Sequence, residues 1–136
     1  MLPDWPPGTV TILSTSGDAP HAIPVSAAVR ADPQTVLIAL AAGRNSLARL
    51  RADPGVALVI LARDDVALTA HGRARVVEEE LIEGVVAVEI AVERVQSHRR
   101  DAFVIDTGVG WRWTDPAAEE RDARVRSSLA RLVGEG

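Results

Sequence analysis

Apolar and polar positions alternate along the first half of the chain in short runs separated by turn residues, the pattern of β-strands. Strands are predicted at 9–15, which is β-branched, at 21–29, which is apolar on one face, and at 35–42, which is apolar on both faces. Because short links join these runs, we expect antiparallel neighbours. The run 35–42 is expected to be buried on both sides, within the domain or against a partner.

A short helix is predicted at 44–52, after the break at Gly43. Leu47 and Leu50 have helical spacing, and Asn45 or Ser46 is suited to the N-cap position. The sequence Asp53-Pro54-Gly55 ends the helix, because proline cannot continue it and glycine permits a positive φ.

The second half continues with strands and closes with a longer helix. Strands are predicted at 56–62, 66–77 and 86–93, with a final strand at 109–114 whose two tryptophans, Trp111 and Trp113, face opposite ways. Cross-strand ion pairs are expected between Arg73 or Arg75 and Glu89 or Glu93. The segment Glu78–Gly84 is predicted as an acidic turn or short helical segment. A helix is predicted after Asp115, which is suited to cap it, with Pro116 at the first helical position. The apolar face of this helix consists of Ala118, Val125, Leu129 and Leu132.

These elements predict a mainly β protein: six or seven strands in a closed or nearly closed antiparallel barrel, with a short helix after the third strand and a C-terminal helix. A parallel α/β fold is disfavoured because helices do not alternate with the strands. The length of 136 residues is suited to a single domain, 1–136.

Composition excludes several function classes. The formal net charge of −4 argues against a nucleic-acid partner, and all fifteen basic residues are arginine, which excludes lysine Schiff-base chemistry. With no cysteine there is no disulfide, thiolate nucleophile or Cys-ligated metal. No signal peptide is visible, and the longest apolar run, Val56 to Ala62, is far too short for a membrane span. We therefore expect a cytoplasmic protein without a membrane partner.

Two kinds of candidate residue carry chemistry. Gly43-Arg44-Asn45-Ser46, with Arg49 one turn on, can form a phosphate site at a helix start, although a capped surface helix with solvated arginines explains the same residues. His21, His71 and His98 show no metal-ligand spacing, so no metal site is predicted. No Gly-x-Ser-x-Gly elbow is present, and no catalytic residue is assigned; His71 is only a candidate acid or base.

Several segments together resemble the pyridoxamine 5'-phosphate oxidase-like family of FMN-binding split barrels. The match covers most of the chain and agrees with the predicted order of elements. The most recognisable element is the small basic helix followed by Asp-Pro-x-Val. The segments that carry the resemblance are Pro20-His21-Ala22-Ile23-Pro24-Val25, Val36-Leu37-Ile38-Ala39, the stretch 44–58 and His71-Gly72-Arg73-Ala74-Arg75-Val76.

The resemblance implies that the barrel is a six- to seven-stranded antiparallel split β-barrel. It also implies a homodimer with flavin sites at the subunit interface, and hydride transfer between FMN and a small substrate. By this resemblance the helix start holds the phosphate, the second strand lies along the isoalloxazine ring, and the end of the third strand lies beside it. The implied cofactor-binding residues are Pro24, Val25, Ser26, Ala27, Leu40, Ala41, Ala42, Arg44, Asn45, Ser46 and Arg49.

The chain also departs from the family pattern. Many relatives carry an Arg-Lys or Ser-Arg-Lys run at the phosphate-binding turn, where this chain has Asn45-Ser46, so Arg44 and Arg49 remain as the cations. The residues that act on pyridoxamine phosphate are not found, which leaves the small substrate unknown. The alternatives to an FMN-dependent oxidoreductase are a reductase that binds the deazaflavin F420 and a non-catalytic dimeric binding module with a degenerate cofactor pocket. Haem binding through a histidine ranks last.

Overall fold

The computed structural model describes residues 1–135, which form seven strands and two helices. The short helix lies between the fourth and fifth strands, and the long helix follows the seventh strand. The predicted mainly β architecture with two helices is confirmed. In chain order the elements are β1 (Thr11–Thr15), β2 (His21–Val25), β3 (Ala28–Asp32), β4 (Thr35–Ala41), α1 (Asn45–Ala52), β5 (Gly55–Ala62), β6 (Val66–Ile82), β7 (Val85–Ser97) and α2 (Pro116–Glu135).

All seven strands form one antiparallel sheet in the order β2-β1-β5-β6-β7-β4-β3. The two edge strands, β2 and β3, are consecutive in the chain, and the sheet is not closed by a ladder between them. The chain therefore passes from one edge of the sheet to the other through Ser26 and Ala27. This arrangement is the split barrel that the family resemblance implied.

The predicted second strand, 21–29, is divided in two by this corner. Its first half pairs with β1, where Val25 is opposite Thr11, and its second half pairs with β4, where Ala28 is opposite Ile38. A single straight strand cannot reach both neighbours, so the run bends at Ser26. As a consequence α1 follows the fourth strand rather than the third.

The main core lies inside the curved sheet. Its fully buried members include Leu13, Ile38, Leu58 and Ile90, each with no exposed surface. A second cluster packs α2 against the outer face of the sheet, where Leu37 meets Leu129 and its neighbours. Strand β4 thus contributes to both clusters, which confirms that its run is buried on both faces, with α2 covering the outer one.

The prediction that Glu78–Gly84 is an acidic turn or a short helical segment is wrong. Most of this segment belongs to β6. The strand continues to Ile82, which is opposite Val85 of β7, and only Glu83 and Gly84 form the turn, with Gly84 at a φ of +73°. The glutamates are exposed, while Leu81 and Ile82 pack against the cluster under α2. Pairing with β7 therefore overrides the local charge repulsion.

The prediction of a final strand at 109–114 is wrong. This segment has no ladder; Trp111 donates its indole N–H to the carbonyl of Gly8 at 2.9 Å. The two rings of Trp111 and Trp113 lie edge to face with centroids 5.0 Å apart, instead of on opposite faces. Contact with the N-terminal segment replaces strand pairing here.

Helix α2 begins as predicted. The Asp115 carboxylate accepts the N–H of Ala117 at 2.9 Å, and Pro116 occupies the first turn. Val125 and Leu129 are buried, as their positions on the apolar stripe require. Neither of the helices within residues 1–135 has the length and apolar character needed to cross a bilayer.

Of the expected cross-strand ion pairs, Arg75 and Glu89 form one, with 3.1 Å between Nε and Oε1. Arg73 lies opposite Ala91 instead of an acid. The register shift at His71/Gly72 moves Glu93 out of line, and Gly72 is required there, because a Cβ would lie 2.1 Å from the carbonyl oxygen of Ala91.

Candidate functional site

A groove of about 500 Å³ lies where the corner of the bent run, the end of β4, the start of α1 and the side of α2 meet. We call it the α1–α2 groove. Its lining residues are Pro24, Val25, Ser26, Ala27, Ala39, Leu40, Ala41, Arg44, Val85, Asp122 and Val125.

The corner between β2 and β3 forms one wall of the groove. Pro24 has no N–H to donate, and β2 is an edge strand, where proline is tolerated. Beyond the corner, Ala39 donates its N–H to the carbonyl of Ala27 at 3.1 Å, which ties the corner to β4. Backbone and small side chains therefore form this wall, which leaves room for a flat ligand.

Arg44 supplies the cation of the groove. It is the N-cap of α1 with an extended backbone and no side-chain cap hydrogen bond, so the prediction that Asn45 or Ser46 caps the helix is wrong. The Arg44 backbone N–H donates to Ala41 and its carbonyl accepts from Leu47, which fixes the residue at the end of β4. Its side chain is exposed and makes no hydrogen bond or ion pair with residues 1–135. The helix start and this guanidinium together favour an anion.

Ser46 and Arg49 point to a different part of the molecule, the turn between β1 and β2. Ser46 is buried, and its Oγ is hydrogen-bonded to His21 Nε2 at 3.1 Å. Arg49 donates through Nε to Thr15 Oγ1 at 3.1 Å and through Nη2 to the carbonyl of Ala19. These side chains are engaged by the protein itself.

The eleven predicted cofactor-binding residues therefore fall into two groups. Seven of them line the α1–α2 groove: Pro24, Val25, Ser26, Ala27, Leu40, Ala41 and Arg44. Ala42, Asn45, Ser46 and Arg49 are not among its lining residues. Ala42 and Asn45 are exposed, and Ala42 donates its N–H to the carbonyl of Gly84 at 2.9 Å.

Sequence reasoning missed the contribution of α2 to this groove. Asp122 and Val125 lie one turn apart on the helix face that meets the groove, and Val85 and Ala39 complete the wall. Asp122 Oδ2 accepts a hydrogen bond from Arg126 Nε at 2.8 Å. The i,i+4 spacing of this pair was readable in the sequence, but its position beside β4 was not, because it depends on how α2 docks.

A second groove of about 440 Å³, which we call the N-terminal groove, adjoins the first at Ser26. Trp5 lines it and donates its indole N–H to the carbonyl of Ala28 at 3.0 Å. Arg30 and Arg126 bring two cations, of which Arg30 is 3.5 Å from the Asp4 carboxylate. Ser26 therefore contacts two spaces. The α1–α2 groove has one cation and the Asp122 carboxylate among apolar residues, and the N-terminal groove has two cations and the Asp4 carboxylate.

The histidines are separate from the α1–α2 groove. His71 lines another groove of about 330 Å³, with Glu93, and is hydrogen-bonded to Gln96 Oε1 at 3.1 Å. His98 is bonded to Thr69 Oγ1 at 2.7 Å, and His21 to Ser46. Across residues 1–135 no group of three His, Asp or Glu side chains is arranged to hold a metal ion.

Shifted pKa values occur at surface ion pairs that do not line the groove. The hydrogen bond from Arg51 lowers the pKa of Glu79, and the same contact raises the pKa of Arg51. The backbone N–H of Ile105, followed by the Arg99 guanidinium, lowers the pKa of Asp65. None of these residues lines the α1–α2 groove.

Comparison with known proteins identifies a family and a set of structural neighbours. The family model described as pyridoxamine 5'-phosphate oxidase matches residues 5–111. No functionally curated protein matches the sequence.

Solved structures of similar fold include the protein HupZ of Group A Streptococcus, with a TM-score of 0.58 and 13% identity over 75% of this chain and 90% of that one. An F420 reductase aligns with a TM-score of 0.56 and 12% identity over 65% and 90% of the two chains. A FAD-binding protein from Mesorhizobium loti aligns with a TM-score of 0.54 and 14% identity over 64% and 83%. At these identities the likeness establishes the fold.

Proposed function

The chain belongs to the pyridoxamine 5'-phosphate oxidase family, and on that premise we propose that it is a flavin-dependent oxidoreductase with FMN in the α1–α2 groove. In this proposal the chain acts as one flavin-binding split-barrel domain on a small-molecule substrate. The observation that carries the proposal is the meeting of Arg44, at the start of α1, with the backbone corner of Pro24–Ala27 in one groove.

The residues of the groove fit a phosphorylated flavin. Arg44 has a guanidinium without a protein partner in the described part of the chain, which is suited to a phosphate. Leu40, Val85 and Val125 give apolar walls for a flat ring, and the volume of about 500 Å³ is in the ordinary range for small-molecule sites. The groove thus offers one cation for the phosphate of FMN and an apolar region for its ring, with the Asp122 carboxylate as its other charged residue.

Each part of the groove has a task in this function. A bound flavin supplies hydride transfer at its ring. Arg44 would hold the phosphate at the start of α1. The backbone of Pro24–Ala27 would orient the ring, and Leu40 and Val125 would keep water from it. We assign no side chain as a catalytic acid or base.

A deazaflavin is the second candidate cofactor. It is supported by the structural neighbour named F420 reductase, whereas another neighbour is named as a FAD-binding protein. F420 also carries a phosphate on its side chain, so Arg44 has the same role for either cofactor.

We also propose a homodimer with the cofactor grooves at the subunit interface. It is supported by an apolar surface on the outer face of β1 and β5, where Ile12 and Leu61 are 37% and 45% exposed and Ile12 lies opposite Val59. Light scattering on the purified protein tests this proposal. The expected mass is that of two chains, and substituting Ile12 by Arg should shift it toward one.

The test of cofactor binding is direct. The purified protein is examined for flavin absorption bands, its released small molecule is weighed by mass spectrometry, and it is titrated with FMN, FAD and F420 in turn. Saturable binding of FMN at one per chain is expected. Absence of flavin bands together with no response to FMN or F420 would overturn the proposal and leave a non-catalytic dimeric module with a degenerate pocket.

A further inference from the structure

Asp122 is the one carboxylate that lines the α1–α2 groove within the described residues. Its side chain is only 12% exposed, and Oδ2 accepts a hydrogen bond from Arg126. Oδ1 has no hydrogen-bond partner in residues 1–135, and no side-chain polar atom there is both fully buried and unpartnered. Oδ1 is therefore not fully buried and can accept a further hydrogen bond.

This acceptor limits what the groove can hold. A carboxylate accepts hydrogen bonds and donates none, so an occupant beside Asp122 must present an N–H or O–H group. Arg44, in the same groove, favours an anion, and within residues 1–135 the ion-pair partner of Asp122 is Arg126 and not Arg44. The groove is thus complementary to a molecule with an anionic group and a separate hydrogen-bond donor.

Phosphorylated flavins and deazaflavins have this combination. Both carry a phosphate on the side chain, and both have an imide N–H, at N3, on the pyrimidine part of the ring. An acceptor that is ionised makes a stronger hydrogen bond to such a donor than a neutral acceptor does, above all where water is excluded. The Asp122 carboxylate, which is 12% exposed and held in place by Arg126, meets that description.

We propose that Asp122 accepts the N3 imide N–H of the cofactor ring and determines the specificity of the groove for that ring. The proposal rests on the proposed flavin-binding function. A purely structural role for the Asp122–Arg126 pair is the competing explanation, since i,i+4 ion pairs are common on helix surfaces. The two explanations differ in what they predict for a ligand without the N–H.

The test compares FMN with N3-methyl-FMN, which keeps the phosphate and loses the donor, on the wild-type chain, on Asp122→Ala and on Glu119→Ala. Glu119 is an exposed acid on the same helix that does not line the groove, so it is the matched control. The wild type is expected to bind FMN at least about tenfold more tightly than the methylated analogue. In Asp122→Ala, FMN binding should weaken about tenfold and the preference should fall below about twofold. Glu119→Ala should behave as the wild type does.

Several results would overturn the proposal. If Asp122→Ala weakens both ligands equally and keeps the preference, the residue acts through structure. If FMN binding is unchanged and only the analogue binds better, the carboxylate is a steric neighbour and not an acceptor. Should the alanine variant fail to fold, Asp122→Asn takes its place, and an unchanged preference in that variant contradicts an ionised acceptor.

The proposed function and the role of Asp122 fail in different ways. A wild-type chain that binds neither FMN nor F420 overturns both. A wild-type chain that binds FMN tightly, but binds N3-methyl-FMN equally well, overturns only the role of Asp122.

Discussion

Replacing Arg44 by Ala should weaken the binding of FMN and leave the binding of riboflavin unchanged. The reason is that Arg44 is placed to contact a phosphate, and riboflavin has the same ring without one. Because the Arg44 side chain has no partner within residues 1–135, its removal breaks no contact of the described fold. The free energy of unfolding of the apoprotein should therefore stay within about 0.5 kcal/mol of the wild-type value.

The expected magnitude follows from the exposure of the side chain. A hydrogen bond between charged groups contributes about 1.5–3 kcal/mol. Arg44 is exposed, so water and salt screen it, and the lower end of this range applies. A loss of about 1.4 kcal/mol corresponds to a dissociation constant about tenfold higher for FMN. The backbone N–H groups at the start of α1 remain, which explains why binding should weaken and not vanish.

The assay is flavin fluorescence titration of each variant with FMN and with riboflavin, at low salt and at 0.5 M salt. Arg112→Ala is the matched control, since Arg112 is exposed in the segment before α2 and does not line the groove. Equal losses for FMN and riboflavin would mean that Arg44 shapes the groove and does not hold the phosphate. No loss for either ligand would refute the reasoning.

Other substitutions test the structural assignments. Arg49→Ala should lower the free energy of unfolding by about 1–3 kcal/mol, because the bonds to Thr15 and Ala19 are lost, and urea denaturation measures it; an unchanged stability would contradict the structural role of Arg49. Gly72→Ala should cost about 1–3 kcal/mol, since the new Cβ meets the Ala91 carbonyl, whereas Gly43→Ala, with no atom within 4 Å, serves as its neutral control. The lowered pKa values of Asp65 and Glu79 stabilise the fold above the ordinary carboxyl pKa, and this contribution is lost as the pH falls through the lower folded values. Stability measured against pH should therefore fall less steeply in acid for Asp65→Asn than for the wild type. Asparagine tolerates the positive φ values at Asp64 and Asp65, +64° and +59°. Identical slopes would show that Asp65 is not coupled to folding.

Local pattern predicted most of the fold. Two-residue alternation located the strands, and Asp53-Pro54-Gly55 and Asp115-Pro116 marked helix boundaries correctly. The bend at Ser26 was not predictable in this way, because the small residues there continue the alternation and the nearby proline, Pro24, lies within β2. The acidic end of β6 was missed for a different reason: its consecutive glutamates show no alternation of apolar and polar residues, yet this segment pairs with β7 across the two-residue turn Glu83–Gly84.

The site was predictable only in part, for a physical reason. The sequence presents Arg44 and Arg49 as equivalent cations on one short helix. Their difference arises from contacts with Thr15 and Ala19, residues far away in the chain that only the sheet brings near. Asp122 likewise enters the groove through the docking of α2, which buries Leu129 against the outer face of the sheet.

Helix α2 lies outside the stretch 5–111 that matches the family, yet it contributes one wall of the groove. The segment 104–115 that leads to it contains no strand or helix. The helix is therefore joined to the barrel by an irregular linker and by the packing of its apolar face. Exchange of this tail between proteins of the same barrel would then alter ligand preference while the inner core stays as it is. Chimaeras that graft α2 onto another member of the family offer a way to transfer selectivity as a module.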